Sequence, residues 1–580
     1  MNRTRVVFIV IISIALLIVC GTLFFQLIGN LTEQDNSAEN EAPTALPADT
    51  LLVTIASSNT KRNWLDQVVQ NFNSAGFTTD AGNRIIAEVE HVTSGGSMNA
   101  ILDGQLSPVA WSPGDPSWVE QINTTWQLRN NQPINSQECL PTVYAPLGFA
   151  MWRPMAEALG WPDTPISWDT IVELAADPQG WASYGRPEWG QFRFGHTHPG
   201  YANSGLLSMT AFVHGAVNSG GQLAAAQVYE AEDAMRALEQ NTSKYGREAP
   251  PLLDLMARQG PSFLHAAAVP EADTVKFNIE RGDELQFPLA FIFPAEGTIW
   301  ANHPLCILDN AEWVSAEQAE AGLAFRDFLL AKEQQEGAID NYLRPLDTTI
   351  SLHDPLSLDN GTDPRVSPEN VPALPSPDAD VSAAIIDLFQ ITKRKATIII
   401  ALDVSGSMEG EKIRSATQAT AEFLERLDPN DEVALLTFND NVTLLSEPAR
   451  VGDVVEGLSQ RVSGLIADGN TALYEAVCQA TDLAATLKME DESAGESRLY
   501  GIVLLSDGED TMGQPTENQM FVTCLPANAE ADGVKIFPIA FGADAAEDLL
   551  ERVASTTGGR MYTADPASIG NAYLSISAEQ

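Results

Sequence analysis

An α/β protein built on parallel, doubly wound sheets is what this 580-residue sequence predicts. Three observations predict it. Short apolar runs at residues 51–56, 396–402 and 501–505 are bounded by Ser, Gly or Asp and lack polar alternation. Such runs read as strands buried on both faces. Patterns with helical spacing follow them, as in Trp64, Val68, Val69 and Phe72, or Ile413, Ala416, Ala419, Phe423 and Leu427. Strand and helix then alternate along most of the chain, which implies parallel sheets with crossover helices. The length exceeds what one core supports, so more than one domain is expected. A formal net charge of −46 argues against a general nucleic-acid binder, because phosphate backbones are gripped by Lys and Arg. It favours cationic partners or ions.

The chain opens with Arg3 and Arg5, followed by an uncharged apolar run over residues 6–28. A bilayer needs roughly 20 such residues. The arginines stay cytoplasmic by the positive-inside rule, so the rest of the chain faces outward, in or at the cell membrane. Residues 1–30 are expected as an uncleaved signal anchor, a single transmembrane helix. Cys20 invites a lipoprotein reading, but Val19 is too bulky for the position before a lipidated Cys. Residues 31–49 are polar and acidic and read as a spacer.

A first domain is expected over residues 50–350. The strand at 51–56 hands over at Ser57, Ser58, Asn59 and Thr60 to a helix. A second strand at 85–89 leads to Ser94, Gly95, Gly96 and Ser97 before another helix, and a third ends at Trp111 and Ser112. Helix amino ends present free N–H groups and partial positive charge, so ligand oxygens bind there. Residues 142–151, around Tyr144, look like a strand crossing a hinge. Ser167 caps the next helix, His198 to Gly205 opens another, and Ser315 with Gln318 has capping-box spacing. This run of landmarks resembles the bacterial extracellular solute-binding proteins, capture subunits of ABC importers. The resemblance implies a periplasmic-binding-protein-like domain with two lobes closing on a ligand. It places cleft contacts at Ser57, Ser58, Ser94, Gly95, Ser97, Trp111, Tyr144, Asn203 and Ser204. Helix capping is the competing role for these Ser and Asn residues. None of them is charged, so an oxyanion, a sugar or a peptide all stay open as ligand.

Residues 351–392 combine six X-Pro steps with a helical pattern at Ile385, Ile386, Leu388 and Phe389. They read as an extended linker and a short helix, because repeated Pro blocks helix and central strand. Lys393, Arg394 and Lys395 read as a solvated helix end. In the second domain, residues 393–580, the central apolar strand ends in Asp403, Ser405 and Ser407. Three oxygen-bearing side chains at alternate positions can share one cup at the carboxyl edge of a sheet, where ligands bind. Gly469-Asn470-Thr471 puts a Thr on a second loop, and another buried strand ends in Ser506, Asp507 and Gly508. These motifs resemble the von Willebrand factor A (VWA) family, a Rossmann-like fold of six strands. The resemblance assigns Asp403, Ser405, Ser407, Thr471 and Asp507 to a metal-ion-dependent adhesion site (MIDAS) holding Mg²⁺, or Mn²⁺ or Ca²⁺. A protein partner donating a Glu or Asp to the metal is implied with it. Asp440, Glu509 and Asp510 read as solvated loop residues.

Cys139 and Cys306 fall in the first domain, Cys478 and Cys524 in the second. An even pair per external domain permits two disulfides in an oxidising compartment; four buried free thiols are the alternative. The chain has no nucleophile elbow, zincin motif or phosphate-binding loop, so no enzyme activity is expected. His196 and His198 form a His-x-His pair that reads as a surface loop. Two functions follow: a membrane-anchored protein gripping a protein partner through the metal site, or a transport or sensory component whose solute binds the first domain.

Overall fold

A computed structural model of the protein describes residues 49–525 and 533–577. The apolar run at residues 6–28, Cys20 and nearly all of the acidic spacer lie outside the described residues. Among the described residues, no helix is long and apolar enough to cross a membrane.

The strands of the first domain are β1 (Thr50–Ser57), β2 (Arg84–His91), β3 (Ala110–Ser112), β4 (Val143–Trp152), β5 (Phe194–Thr197), β6 (Thr242–Gly246), β7 (Ala266–Pro270), β8 (Leu289–Ile292), β9 (Trp300–Ala301), β10 (Cys306–Ile307) and β11 (Arg344–Pro345). They form two sheets, one per lobe. The first has the order β10-β3-β1-β2, with β1 parallel to both neighbours and β10 antiparallel to β3. The helix Arg62–Ala75 buries Trp64, Leu65, Val68 and Phe72 against it, and ends at Gly76, whose φ of 73° is the left-handed turn glycine adopts freely. The second sheet has the order β11-β4-β7-β5-β6. Its long strand β4 pairs with β11 and β9 along its first half and with β7 and β8 along its second. Ser315 and Gln318 form the capping box their spacing implies, with Ser315 Oγ accepting from Gln318 N at 3.2 Å and Gln318 Oε1 from Ser315 N at 3.0 Å.

Two of the chain's passages between the lobes run side by side. Thr142 N donates to Asn302 O at 2.9 Å, and Leu305 N donates to Leu140 O at 2.8 Å. Cys139 and Cys306 are bonded across these crossings, with Cα atoms 4.4 Å apart and a sequence separation of 167. Closing so long a loop removes chain entropy from the unfolded state, worth about 2–4 kcal/mol. The double variant Cys139→Ser, Cys306→Ser is therefore expected to lower the first thermal unfolding transition by several degrees. An unchanged transition would show that the bond adds nothing to stability. Cys478, on the helix Leu473–Ala494, is bonded to Cys524.

The segment expected as an extended linker folds back onto the first domain. Leu374 packs with Leu147, Leu207, Ala211 and Ile299, and Leu356 packs with Val275 and Ile339. Thr298 N donates to Pro372 O, and Leu374 N to Thr298 O, both at 2.9 Å. Proline bars regular structure here, but not burial of the leucines between the prolines. The helix Ala379–Thr392 is likewise part of the first domain: Val381, Ala384, Ile385 and Leu388 belong to its largest core cluster. The basic patch is no solvated helix end either. Arg394 is buried, donating to Thr242 O at 3.3 Å and Arg498 O at 2.9 Å, so it ties the two domains together.

In the second domain β12 (Lys395–Asp403), β13 (Glu432–Phe438), β14 (Val442–Arg450), β15 (Arg498–Ser506), β16 (Lys535–Phe541) and β17 (Tyr562–Ala564) form one sheet of order β14-β13-β12-β15-β16-β17. Only the edge strand β14 is antiparallel. Helices cover both faces, with Phe423 and Leu458 in one core and Leu473, Val477 and Leu550 in the other. Pro538 is tolerated inside β16 because β17 pairs only with Ile539 to Phe541, leaving Pro538 outside that ladder.

Candidate metal site and interlobe cleft

β12 and β15 lie side by side in parallel, so their carboxyl ends bring Asp403 and Asp507 to one point. The Ser405 amide donates to Asp403 Oδ1 at 2.8 Å, and Ser506 Oγ donates to Asp403 Oδ2 at 2.7 Å. Ser407 Oγ donates to Asp507 Oδ1 at 2.7 Å and lies 3.0 Å from Ser405 Oγ. The Thr471 loop is clamped against the others: Gly406 N donates to Gly469 O, Thr511 N donates to Thr471 O, and Thr471 N donates to Thr511 Oγ1 at 2.8 Å. Thr471 is itself buried. Three loops thus carry two carboxylates and three hydroxyls to one edge of the sheet.

The electrostatics of this cup are set by burial. Asp403 is fully buried, and desolvation pushes its carboxyl up to about 6, against the Ser405 and Ser506 hydrogen bonds that favour the ionised form; the Asp507 charge adds to the rise. Lys412 Nζ donates to Asp507 Oδ2 at 2.6 Å and neutralises that buried carboxylate. Neither Lys412 nor Ser506 is evident from the motifs, one reading as a helix residue and the other as the last residue of a strand. Asp440 and Asp510 are structural as well as solvated. Asp440 Oδ1 accepts from the Asn470 amide at 3.1 Å, and Asp510 Oδ1 accepts from Tyr474 N at 3.0 Å, bracing the loop and helix that follow Gly469.

Among the described residues there is no cluster of three or more His, Cys, Asp or Glu able to hold a metal. The cup offers a different donor set, two carboxylates and three hydroxyls. Its oxygen-only donors fit a hard cation. The His196–His198 pair is not a surface loop. His196 lies in β5, fully buried, with Nε2 3.1 Å from Glu239 Oε1; burial alone would lower its pKa, but the buried Glu239 carboxylate holds it above the ordinary value.

In the first domain Ser58, Ser94, Asn203 and Ser204 line one interlobe cavity of about 40 Å³. Ser94 Oγ accepts from Gly114 N at 2.9 Å, and Asn203 Oδ1 accepts from Trp118 Nε1 at 2.9 Å. The other expected contacts stand elsewhere. Ser97 Oγ accepts from the fully buried Trp111 at 2.9 Å, and Ser57 Oγ donates to Ser58 O, so these three serve the core behind the wall. Tyr144 sits edge-on to Trp300, 6.2 Å between ring centres. Gly95 lets the lobes approach: a Cβ there would lie 2.8 Å from Gly200 O. Two carboxylates missing from the expected set also line the cavity, those of Glu248 and Asp273.

A family model described as von Willebrand factor type A domain matches residues 397–571, and one described as Bacterial extracellular solute-binding protein matches residues 53–341. Inter-alpha-trypsin inhibitor heavy chain H4 of Bos taurus is 31% identical over 165 residues, 28% of this chain and 18% of the relative. A UPF0353 protein of Mycobacterium ulcerans is 25% identical over 207 residues, 32% of this chain and 61% of the relative. The chain therefore spans less than two thirds of the length of these curated relatives. Among solved structures, the periplasmic binding protein AfuA of Actinobacillus pleuropneumoniae aligns with a TM-score of 0.41 at 14% identity, covering 59% of this chain and 99% of that one. A von Willebrand factor type A protein of Catenulispora acidiphila aligns with a TM-score of 0.28 at 19% identity, covering 32% and 42%. The chain thus joins two modules, a region that matches the bacterial extracellular solute-binding protein family followed by a region that matches the von Willebrand factor type A domain.

Proposed function

We propose that this chain is a membrane-anchored, extracytoplasmic binding protein that recognises a protein partner through a divalent cation in its second domain. The first domain is its second binding module, and binding rather than catalysis is its role. The observation that carries the reading is the convergence of Ser405, Ser407 and Asp507 oxygens in steps of 3.0 Å or less at the sheet edge, with buried Thr471 beside them. Mg²⁺ suits such a donor set, with Mn²⁺ or Ca²⁺ as substitutes. Because hydroxyls add no negative charge, a cation held there would stay electron-poor and attract a Glu or Asp carboxylate of the partner. The chain's own residues hold the cup in shape: Ser506 and the Ser405 amide fix Asp403, while Asp440 and Asp510 fix the Thr471 loop and the helix after it. Ile466 and Met512 lie on loops flanking the cup and are 83% and 41% exposed, which gives a partner apolar anchors around the polar centre. Arg3, Arg5 and the apolar run after them supply the membrane anchor.

Calorimetric titration with Mg²⁺ and Mn²⁺ tests the reading. The parent is expected to bind one ion, and the variant Asp403→Ala, Ser405→Ala none. Equal binding by both would place the ion elsewhere and remove the basis for partner recognition. The interlobe cavity favours a second reading, in which solute capture by the first domain feeds a transport or sensory system.

A further inference from the structure

We propose that the interlobe cavity takes a small zwitterionic solute, its ammonium group on the second lobe and its carboxylate on the first. The proposal rests on the first domain being a solute-binding module and names the class of its solute.

The second lobe presents a wall of acceptors. Asp273 lines the cavity, is 5% exposed, and makes no hydrogen bond or ion pair with any described residue. Its neighbour on the helix Glu271–Glu280, Lys276, is turned to Glu280 at 3.9 Å. A carboxylate buried without a partner is costly, and burial pushes this one up to about 7, with the Glu248 charge adding to the rise against Lys276. A positively charged ligand group offsets that cost. Glu248 stands beside it at the start of the helix Ala249–Gln259, giving one oxygen to Asn59 Nδ2 at 3.0 Å. That helix begins Ala249-Pro250-Pro251. Two prolines remove two of its first amide donors, so this helix start is poorly equipped to cradle an anion.

The first lobe presents the opposite character. Lys61 is 1% exposed and has no carboxylate partner among the described residues, so burial holds its ammonium well below the ordinary value and a ligand carboxylate beside it would favour the charged form. Its Nζ donates to Ser58 Oγ at 2.7 Å and to Ser112 O at 2.8 Å, and lies 3.3 Å from His303 Nδ1. Ser58 lines the cavity, so Lys61 backs it directly. The amino end of the helix Ser94–Leu102 opens on the same wall and adds partial positive charge. A lone anion in this space would face Asp273 and Glu248; a lone cation would face Lys61 and the helix end. A ligand with both charges satisfies both walls and draws the lobes together. A cavity of about 40 Å³ holds roughly three or four water-sized groups, the scale of the smallest amino acids.

Trp118 Nε1 donates to Asn203 across the cleft, so tryptophan fluorescence reports occupancy alongside calorimetry. The full chain is titrated with glycine, β-alanine and the other common amino acids, and separately with methylammonium, acetate, sulfate and glucose. At least one zwitterion is expected to bind, with methylammonium and acetate at least a hundredfold weaker. Asp273→Asn is expected to weaken the zwitterion at least tenfold while leaving the thermal transition in place. Lys61→Met is expected to weaken it as well; where that variant unfolds, Asp273→Asn decides alone. Methylammonium or acetate binding as tightly as the zwitterion, or an unaffected Asp273→Asn variant, overturns the proposal. Binding of sulfate or glucose but no zwitterion overturns the solute class and leaves the solute-binding module standing. Binding of none overturns both.

Discussion

Replacing Lys412 by Met is expected to raise the affinity of the second domain for Mg²⁺ on the order of ten- to a hundredfold. The ammonium of Lys412 is 2.6 Å from Asp507 Oδ2, the carboxylate whose other oxygen accepts from Ser407. A divalent cation and this ammonium draw on the same carboxylate and repel each other. Two unit charges about 4 Å apart interact by about 4 kcal/mol at an effective dielectric of 20. Lys412 is 27% exposed, so solvent and salt reduce this, and a gain of about 1.4–2.8 kcal/mol is the expected remainder. Methionine keeps the unbranched stem and removes only the charge. The variant also leaves Asp507 buried without its counter-charge, so its transition falls in chelator and recovers with Mg²⁺. Calorimetric titration and thermal unfolding with and without Mg²⁺ give both readouts. Unchanged or weaker Mg²⁺ binding in Lys412→Met would show that the lysine orients Asp507 for the metal rather than competing with it.

The parts of the structure legible in the sequence are those whose signal is local. Asp403, Ser405 and Ser407 lie within five residues at the end of a strand that is apolar on both faces, and the strand-to-helix turns at Ser58 and Ser94 are equally compact. Lys412 and Ser506 escape such a reading because each acts on a carboxylate from a different segment: Lys412 on Asp507, and Ser506 on Asp403. Asp273 and Glu248 escape it because an acidic residue in a helical pattern looks solvated until the opposite lobe closes over it. His196 is the same case in reverse. Its strand is four residues long, too short for periodicity to show, and its partner Glu239 comes 43 residues later. The Pro-rich segment misleads because proline predicts irregular backbone, and irregular backbone can still bury Leu356 and Leu374.

Glu271→Ala is expected to destabilise the first domain by about 3–5 kcal/mol, the cost of stranding a buried charge. Glu271 is fully buried at the first position of the helix Glu271–Glu280, where the helix dipole favours a negative side chain. Both its oxygens are taken by Arg344, at 2.7 Å from Nε and 2.7 Å from Nη2, and Thr362 Oγ1 donates to it as well. Arg344 in turn donates to Val366 O at 2.6 Å and Asp363 O at 3.2 Å, and lies over the Phe293 and Trp300 rings. One ion pair therefore joins β11, a second-lobe helix and the folded-back Pro-rich segment. Removing the carboxylate leaves a 4% exposed guanidinium with backbone acceptors and ring faces but no counter-ion in contact. Glu271→Gln keeps the shape and part of the hydrogen bonding, so its loss is smaller. Glu271→Ala combined with Arg344→Met removes both charges and recovers part of the stability, because the penalty lies in the unpaired charge. The thermal transition of the first domain is expected to fall on the order of 10 °C in the single variant, while any Mg²⁺ affinity of the second domain, which has its own core, is expected to stay within twofold of the parent. A Glu271→Ala protein as stable as the parent would mean that water reaches Arg344 and that the pair is no internal clamp.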